Sequence, residues 1–253
     1  MSERGVISWV VPLAGHKFDL EDLPRWFSGQ DVRVAPHEEG FALVIPTSVI
    51  GARYESVLAF AEKHLSLVNG VGRLLNSKFR VVSLTSRVLG LEPSGVVCHT
   101  VVAIGAAEMR MKTSAVGVAL GGVVQPDPAD GLAAPLLRAA SRSPRAHDAL
   151  VIAGREDLTW SELNLLFELV EAEVGGKMFE RGWMSKPDAK LFTRTVNSYS
   201  ALRTAGRHGK DRGDPPKDPM PHGTAVGLVR TLLLSWLQFI GSSEADVEEA
   251  AAC

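Results

Sequence analysis

Two hydrophobic periods run along the chain, and the change from one to the other falls near its middle. In the first half, short apolar runs bounded by Pro, Gly and charged residues predict strands at 6–11 (VISWVV), 31–35 (DVRVA), 41–45 (FALVI), 95–105 (GVVCHTVVAIG) and 109–120 (MRMKTSAVGVAL). Residues 54–75 carry the other period: Val57, Phe60, Ala61, His64, Leu65 and Val68 fall along one side of a single long helix. The segment 121–130, GGVVQPDPAD, spaces two prolines by an Asp and marks a turn or linker, hence a domain boundary. Beyond it the pattern is helical. Residues 131–149 predict one or two helices interrupted near Pro144. The segment from Thr159 is the cleanest helix: Thr159 is a good N-cap and Glu162, three residues on, completes a capping box. Trp160, Leu163, Phe167, Val170 and Val174 follow at three- and four-residue spacing, and Gly175 and Gly176 end the run. A further helix runs from Pro187 towards Ala205, and the last from near Pro221 to Gly241. The expected fold class is α+β: a β-rich mixed domain with one long helix over 1–125, a C-terminal all-α helical bundle over 131–241, and a frayed acidic tail over 242–253.

Composition adds limits. The 253 residues are 45% apolar and 22% charged with a net charge of −2, so nucleic-acid binding needs a local patch rather than a global field. Cys98 and Cys253 share no motif spacing, which argues against a disulfide framework or a cysteine-based zinc site and fits a reducing cytoplasm. The opening MSERGVISWVV has too short an apolar run for a secretory signal. The run LVRTLLLSWLQFI contains Arg230 and falls short of a membrane span, so it reads as a buried helix of a soluble cytoplasmic protein.

Charge is nevertheless segregated. Residues 177–213 hold nine Lys or Arg against three acids, a balance of +6, and the rest of the chain holds eighteen against twenty-six. Lys186, Lys190 and Arg194 fall four apart, so a helix would align them as one stripe able to track a phosphate backbone. Such runs are also common as plain solvated helix faces. Phe192 and Tyr199, seven apart, suit core packing better than base stacking. Within ALRTAGRHGKDRG (201–213), Arg203 and His208 are separated by four residues and followed by Gly209, the polar loop KDRGDPPKDPMP and an apolar helix. In this order of motif, loop and helix, residues 131–240 resemble the HEPN superfamily of helical-bundle proteins, which carry an Arg-x(4–6)-His motif before the last long helix. The residue after the Arg is often Asn or another polar type in the family, and Thr204 is polar but not the commonest choice.

The resemblance implies metal-independent RNA cleavage, with no cofactor, and a homodimer whose second copy completes the cleft. It also suggests a toxin or antiviral-defence effector held in check by the N-terminal half or by a regulatory protein partner. The residue chemistry suits that reaction. The imidazole of His208 exchanges protons near neutral pH, and Arg207 beside it favours the neutral base. The guanidinium of Arg203 can hold two phosphate oxygens. Arg203 and His208 are therefore the expected catalytic pair, with Arg207, Lys210, Arg212, Lys190 and Arg194 as phosphate ligands. Arg203 could instead pair with a carboxylate of the 160–174 helix, Glu168 or Glu171, and His208 could be an ordinary loop histidine. The competing function is a non-catalytic binding or scaffolding protein on the same bundle. His222, at a helix start across the same loop, is a further candidate. His64, His99 and His147 are isolated and read as structural. Gly70-Val71-Gly72 lies at or near the end of a helix, so it reads as a helix stop or a tight packing site rather than a dinucleotide loop.

Overall fold

The computed structural model describes residues 5–51, 53–102 and 131–242. In chain order the elements are β1 (Ser8–Ala14), α1 (Lys17–Trp26), β2 (Arg33–His37), β3 (Gly40–Pro46), α2 (Thr47–Ile50), α3 (Glu55–Leu75), β4 (Ser83–Leu84), β5 (Arg87–Leu91) and β6 (Val97–Val102). After residue 130 come α4 (Ala133–Arg142), α5 (Pro144–Ala153), α6 (Trp160–Val174), α7 (Lys177–Glu180), α8 (Lys186–Val196), α9 (Tyr199–Leu202), a single 3-10 turn (Arg203–Ala205) and α10 (His222–Gly241). The fold is mixed α+β, an antiparallel sheet followed by helices, as the two periods predict. The expected strand at 109–120 and boundary at 121–130 lie outside the described residues.

The compact units do not follow chain order. One comprises Met1–Glu62 and Ser83–Gly131, the other Lys63–Val82 and Leu132–Cys253. In the first, the antiparallel sheet runs β2-β3-β1-β5-β6, with β4 pairing the end of β1. β1 is central, and Trp9, Val10 and Val11 are all buried although neighbouring side chains point to opposite faces. Four elements of the first half escaped the hydrophobic pattern: the short α2 and β4, and the longer β5 and α1. β5 carries Gly90, which reads as a turn residue, yet it pairs with Trp9. A Cβ there would meet the Trp9 ring at 3.1 Å and the His99 Cβ at 3.2 Å. The glycine marks a close approach, not a chain break. α1 is a second helix in the half expected to hold one long helix. Pro24 reads as a breaker, but Leu20, Leu23 and Trp26 are buried at helical spacing, and the helix ends within a turn of the proline.

The second unit begins inside α3. A Cβ on Gly70 would lie 2.1 Å from the Leu150 carbonyl oxygen, and one on Gly154 would lie 3.0 Å from the Gly70 nitrogen, so α3 and α5 cross almost backbone to backbone. Of the two readings of Gly70-Val71-Gly72, tight packing is the one found: α3 runs on through it to Leu75, and Gly72 likewise leaves room for the Phe79 ring. Burial lowers the His64 pKa to about 4, so that ring is neutral at physiological pH. The 131–149 region is two helices, with Pro144 in the first turn of α5 and the Ser143 hydroxyl accepting from the Ala146 N–H at 3.3 Å. α10 is longer than the apolar run suggests. Among the described residues it is the one helix whose length and hydropathy would suffice to cross a membrane. Its inward side, with Val229, Leu232, Leu233, Trp236 and Leu237 buried, packs on α4 and α6. Arg138 and Arg142 of α4 donate to its last carbonyls, at 2.8 Å to Gly241 and 2.7 Å to Ile240.

The capping box on α6 forms as expected. Thr159 N–H donates to Glu162 Oε2 at 2.8 Å and Glu162 N–H to the Thr159 hydroxyl at 3.3 Å, while Arg155 bonds Oε1 at 2.8 Å. The Thr159 N–H, then Arg155 and the Thr159 hydroxyl, lower the Glu162 pKa from 4.5 to about 2. Thr159→Ala is expected to reduce the free energy of unfolding by about 1 kcal/mol at pH 7. A folded pKa below the unfolded one stabilises above the unfolded value and loses that effect as pH falls. The difference between the two proteins in urea melts should therefore narrow between pH 4.5 and 2.

Candidate nucleic-acid interface

The expected helix from Pro187 to Ala205 breaks after Val196. The Ser198 hydroxyl accepts from the Ala201 N–H at 3.1 Å and so caps a new short turn, α9. Arg203 ends that turn at φ 50°, a left-handed conformation that L side chains adopt at some cost. Loop 206–219 then folds back over α8, held by three anchors. Asp211 accepts from the Ser198 hydroxyl at 2.8 Å and the Ser200 N–H at 2.9 Å, as well as from the Ser200 hydroxyl. These bonds, the Ser200 hydroxyl and N–H foremost, hold its carboxyl below the usual range. Arg194 donates to the Asp214 carbonyl from Nε and Nη2 at 3.2 and 3.1 Å, and to the Pro215 carbonyl at 3.2 Å. The buried Thr195 hydroxyl receives the Met220 N–H at 3.0 Å.

Between helix and loop lies a cavity of about 400 Å³. Lys190, Thr193, Arg194 and Asn197 line one side, and Arg212, Gly213 and Asp214 the other. The structure thus gathers three of the five expected phosphate ligands, against one carboxylate. Arg194 reaches this place as a loop clamp bonded to backbone carbonyls, so Lys190 and Arg212 are the two lining cations whose side chains make no described hydrogen bond or ion pair. Lys210 is exposed on the same loop and Arg207 turns elsewhere.

The expected reacting pair is arranged differently. Neither side chain is in the core: Arg203 is exposed and His208 half-buried. Arg203 lies over the Tyr199 ring, 5.5 Å from its centroid, and Tyr199 is itself 36% exposed rather than packed in the core. Phe192 does take a core position, fully buried against Phe167 and Trp160. The carboxylate of α6 pairs with Arg207, not with Arg203: Nη1 reaches Glu168 Oε1 at 3.1 Å. The same guanidinium donates from Nε to His208 Nε2 at 3.0 Å. A nitrogen accepting that bond carries no proton, so His208 is neutral with its hydrogen on Nδ1. Partial burial, then the charges of Arg212 and Arg207, push its pKa down in the same sense.

His222 belongs to another place. Its Nε2 donates to the Leu158 carbonyl at 2.8 Å, its ring stands edge-on to Trp160, and it lines a separate cavity between α6 and α10. Sequence reasoning missed the clamp roles of Arg194 and Asp211. The only available signal was Ser198 and Ser200 preceding an Asp in a loop, a pattern too common to single out. Among the described residues no three His, Cys, Asp or Glu side chains come together as a metal site. No protein-family model, curated protein or solved structure matches the chain.

Proposed function

We propose that this chain is a HEPN-type endoribonuclease that needs no metal, its C-terminal helices forming the bundle of that superfamily. His208 removes the proton from a ribose 2′-hydroxyl while O2′ bonds to the adjacent phosphorus. The phosphorus–O5′ bond breaks and the 5′-oxygen takes up a proton, leaving a 2′,3′-cyclic phosphate and a 5′-hydroxyl. Arg203 neutralises the phosphate oxygens as charge builds there. The observation that carries this reading is a neutral, half-exposed histidine on a loop pinned beside a cavity that Lys190 and Arg212 make positive. A homodimer that completes the cleft, a cytoplasmic setting and a role as a toxin or antiviral effector, restrained by the N-terminal half or a protein partner, belong to the same proposal. One observation favours the second reading, RNA binding without cleavage. The lone pair of His208 Nε2 is occupied by Arg207.

Labelled single-stranded RNA incubated with the protein in EDTA separates the two. Cyclic-phosphate ends support the nuclease, whereas tight binding with intact RNA supports the binder. Lys190→Ala combined with Arg212→Ala should weaken binding about tenfold and flatten its salt dependence by about 1.4 in logarithmic slope, two phosphate contacts' worth. RNA neither bound nor cut at low salt would sink both readings.

A further inference from the structure

The second cavity lies wholly within the unit formed by Lys63–Val82 and Leu132–Cys253, and no step of the proposed RNA chemistry uses it. Its volume is about 290 Å³, close to the lower limit of about 300 Å³ for small-molecule sites. Leu158, Leu163, Leu166, Val226, Val229 and Leu233 supply apolar walls. Two cations, Arg73 and Arg230, share the lining with one acid, Asp157. Arg230 spends Nε and Nη2 on the last carbonyls of α3, at 2.9 Å to Leu74 and 3.0 Å to Leu75. Its charge is thereby answered by the negative end of that helix. Arg73 commits only Nη1, to the Phe79 carbonyl at 2.8 Å. The Nε and Nη2 edge of its guanidinium makes no described hydrogen bond, and among the described residues no carboxylate pairs with either arginine.

We propose that this cavity binds a small amphipathic anion, a medium-chain carboxylic acid. The planar Nε–Nη2 edge of Arg73 matches a carboxylate in a two-bond fork, and the leucine and valine walls take an alkyl body rather than a hydroxylated one. The walls are set without a ligand. His222 ties the loop after α5 to the start of α10 through the Leu158 carbonyl, Arg230 ties α10 to the end of α3, and Asp157 bends that loop at φ 52°. Binding to such a preformed site loses little conformational freedom.

Isothermal titration of the full chain with octanoate tests this. Wild type should bind one octanoate with a Kd on the order of 0.1 mM, and butyrate, which has the charge but not the body, at least tenfold more weakly. Arg73→Gln should weaken octanoate about tenfold and leave octanol within about twofold. Val226→Phe, at a half-exposed wall position, should weaken both about tenfold or more by filling the space. Circular dichroism and melting temperature confirm that each variant is folded. No saturable octanoate binding at about 5 mM, butyrate binding equal to octanoate, or a folded Val226→Phe that binds like wild type would each overturn the proposal. None of these results bears on whether RNA is cut.

Discussion

Gly70→Ala is expected to destabilise the protein severely, although the change adds one methyl group and favours helix. The new Cβ would sit 2.1 Å from the Leu150 carbonyl oxygen, 2.7 Å from its carbon and 3.1 Å from its Cα. All three are backbone atoms, so no side chain can rotate aside, and α3 and α5 must move apart where they cross. Overpacking of this kind costs about 3 kcal/mol or more, several times the roughly 1 kcal/mol that alanine gains in helix propensity. The melting temperature should fall by about 6–12 °C. Gly241→Ala should behave alike, since its Cβ would meet the Pro135 carbonyl oxygen at 1.8 Å. Gly227→Ala is the internal control. It lies within α10 with nothing within 4 Å, so the propensity gain stands alone and the melting temperature should rise slightly. Equal melting temperatures for the Gly70 and Gly227 variants would show that the α3–α5 crossing is not as close as described.

Under the proposed nuclease reading, His208→Ala is expected to lower RNA cleavage by about 10²–10⁴-fold, the usual contribution of a general base, with no change in melting temperature. The ring is half-exposed, and the loop keeps its anchors at Asp211, Arg194 and Thr195. The pH dependence has a definite sign. Partial burial together with Arg212 and Arg207 lowers the His208 pKa below 6.5, so the neutral base persists to lower pH than a free imidazole would allow. The acid limb of the cleavage profile should therefore lie below pH 6.5 in wild type. Arg207→Gln should move it upward. That variant also frees Nε2 from the 3.0 Å bond and leaves Glu168 without its partner. If the acid limb stays in place when Arg212 and Arg207 are both replaced, His208 is not the titrating base.

The extent to which sequence anticipated structure differs between the elements and the site. The α6 capping box, the two helices meeting at Pro144, the start of α10 at Pro221 and the helical face of α3 all follow from local rules. A cap, a proline at a first turn and a three-to-four spacing act over a few residues, and neighbours in sequence decide them. The run from Pro187 misled for the opposite reason: it suggests an unbroken helix to Ala205, and the competing cap at the Ser198 hydroxyl starts a new turn instead.

At the site, the segregation of positive charge into 177–213 and the presence of an Arg and a His five positions apart were readable from composition and spacing alone. Which arginine meets which acid was not. Arg203 and Arg207 are equivalent by residue type, and only the reversal of the chain at φ 50° turns the first onto Tyr199 and the second towards Glu168 and His208. The conversion of Arg194 from an expected phosphate ligand into a clamp on loop carbonyls has the same origin. A long cation takes whichever acceptor the fold brings within reach. The sequence by itself therefore determined the α+β class, most helix termini and the basic segment, because these depend on near neighbours. The tertiary structure alone decided that Lys63–Val82 joins the later helices, that two glycines let helices cross at backbone distance, and that His208 is capped by Arg207. Each of those rests on atoms far apart in the chain, where loop closure and close packing, not local preference, select the partner.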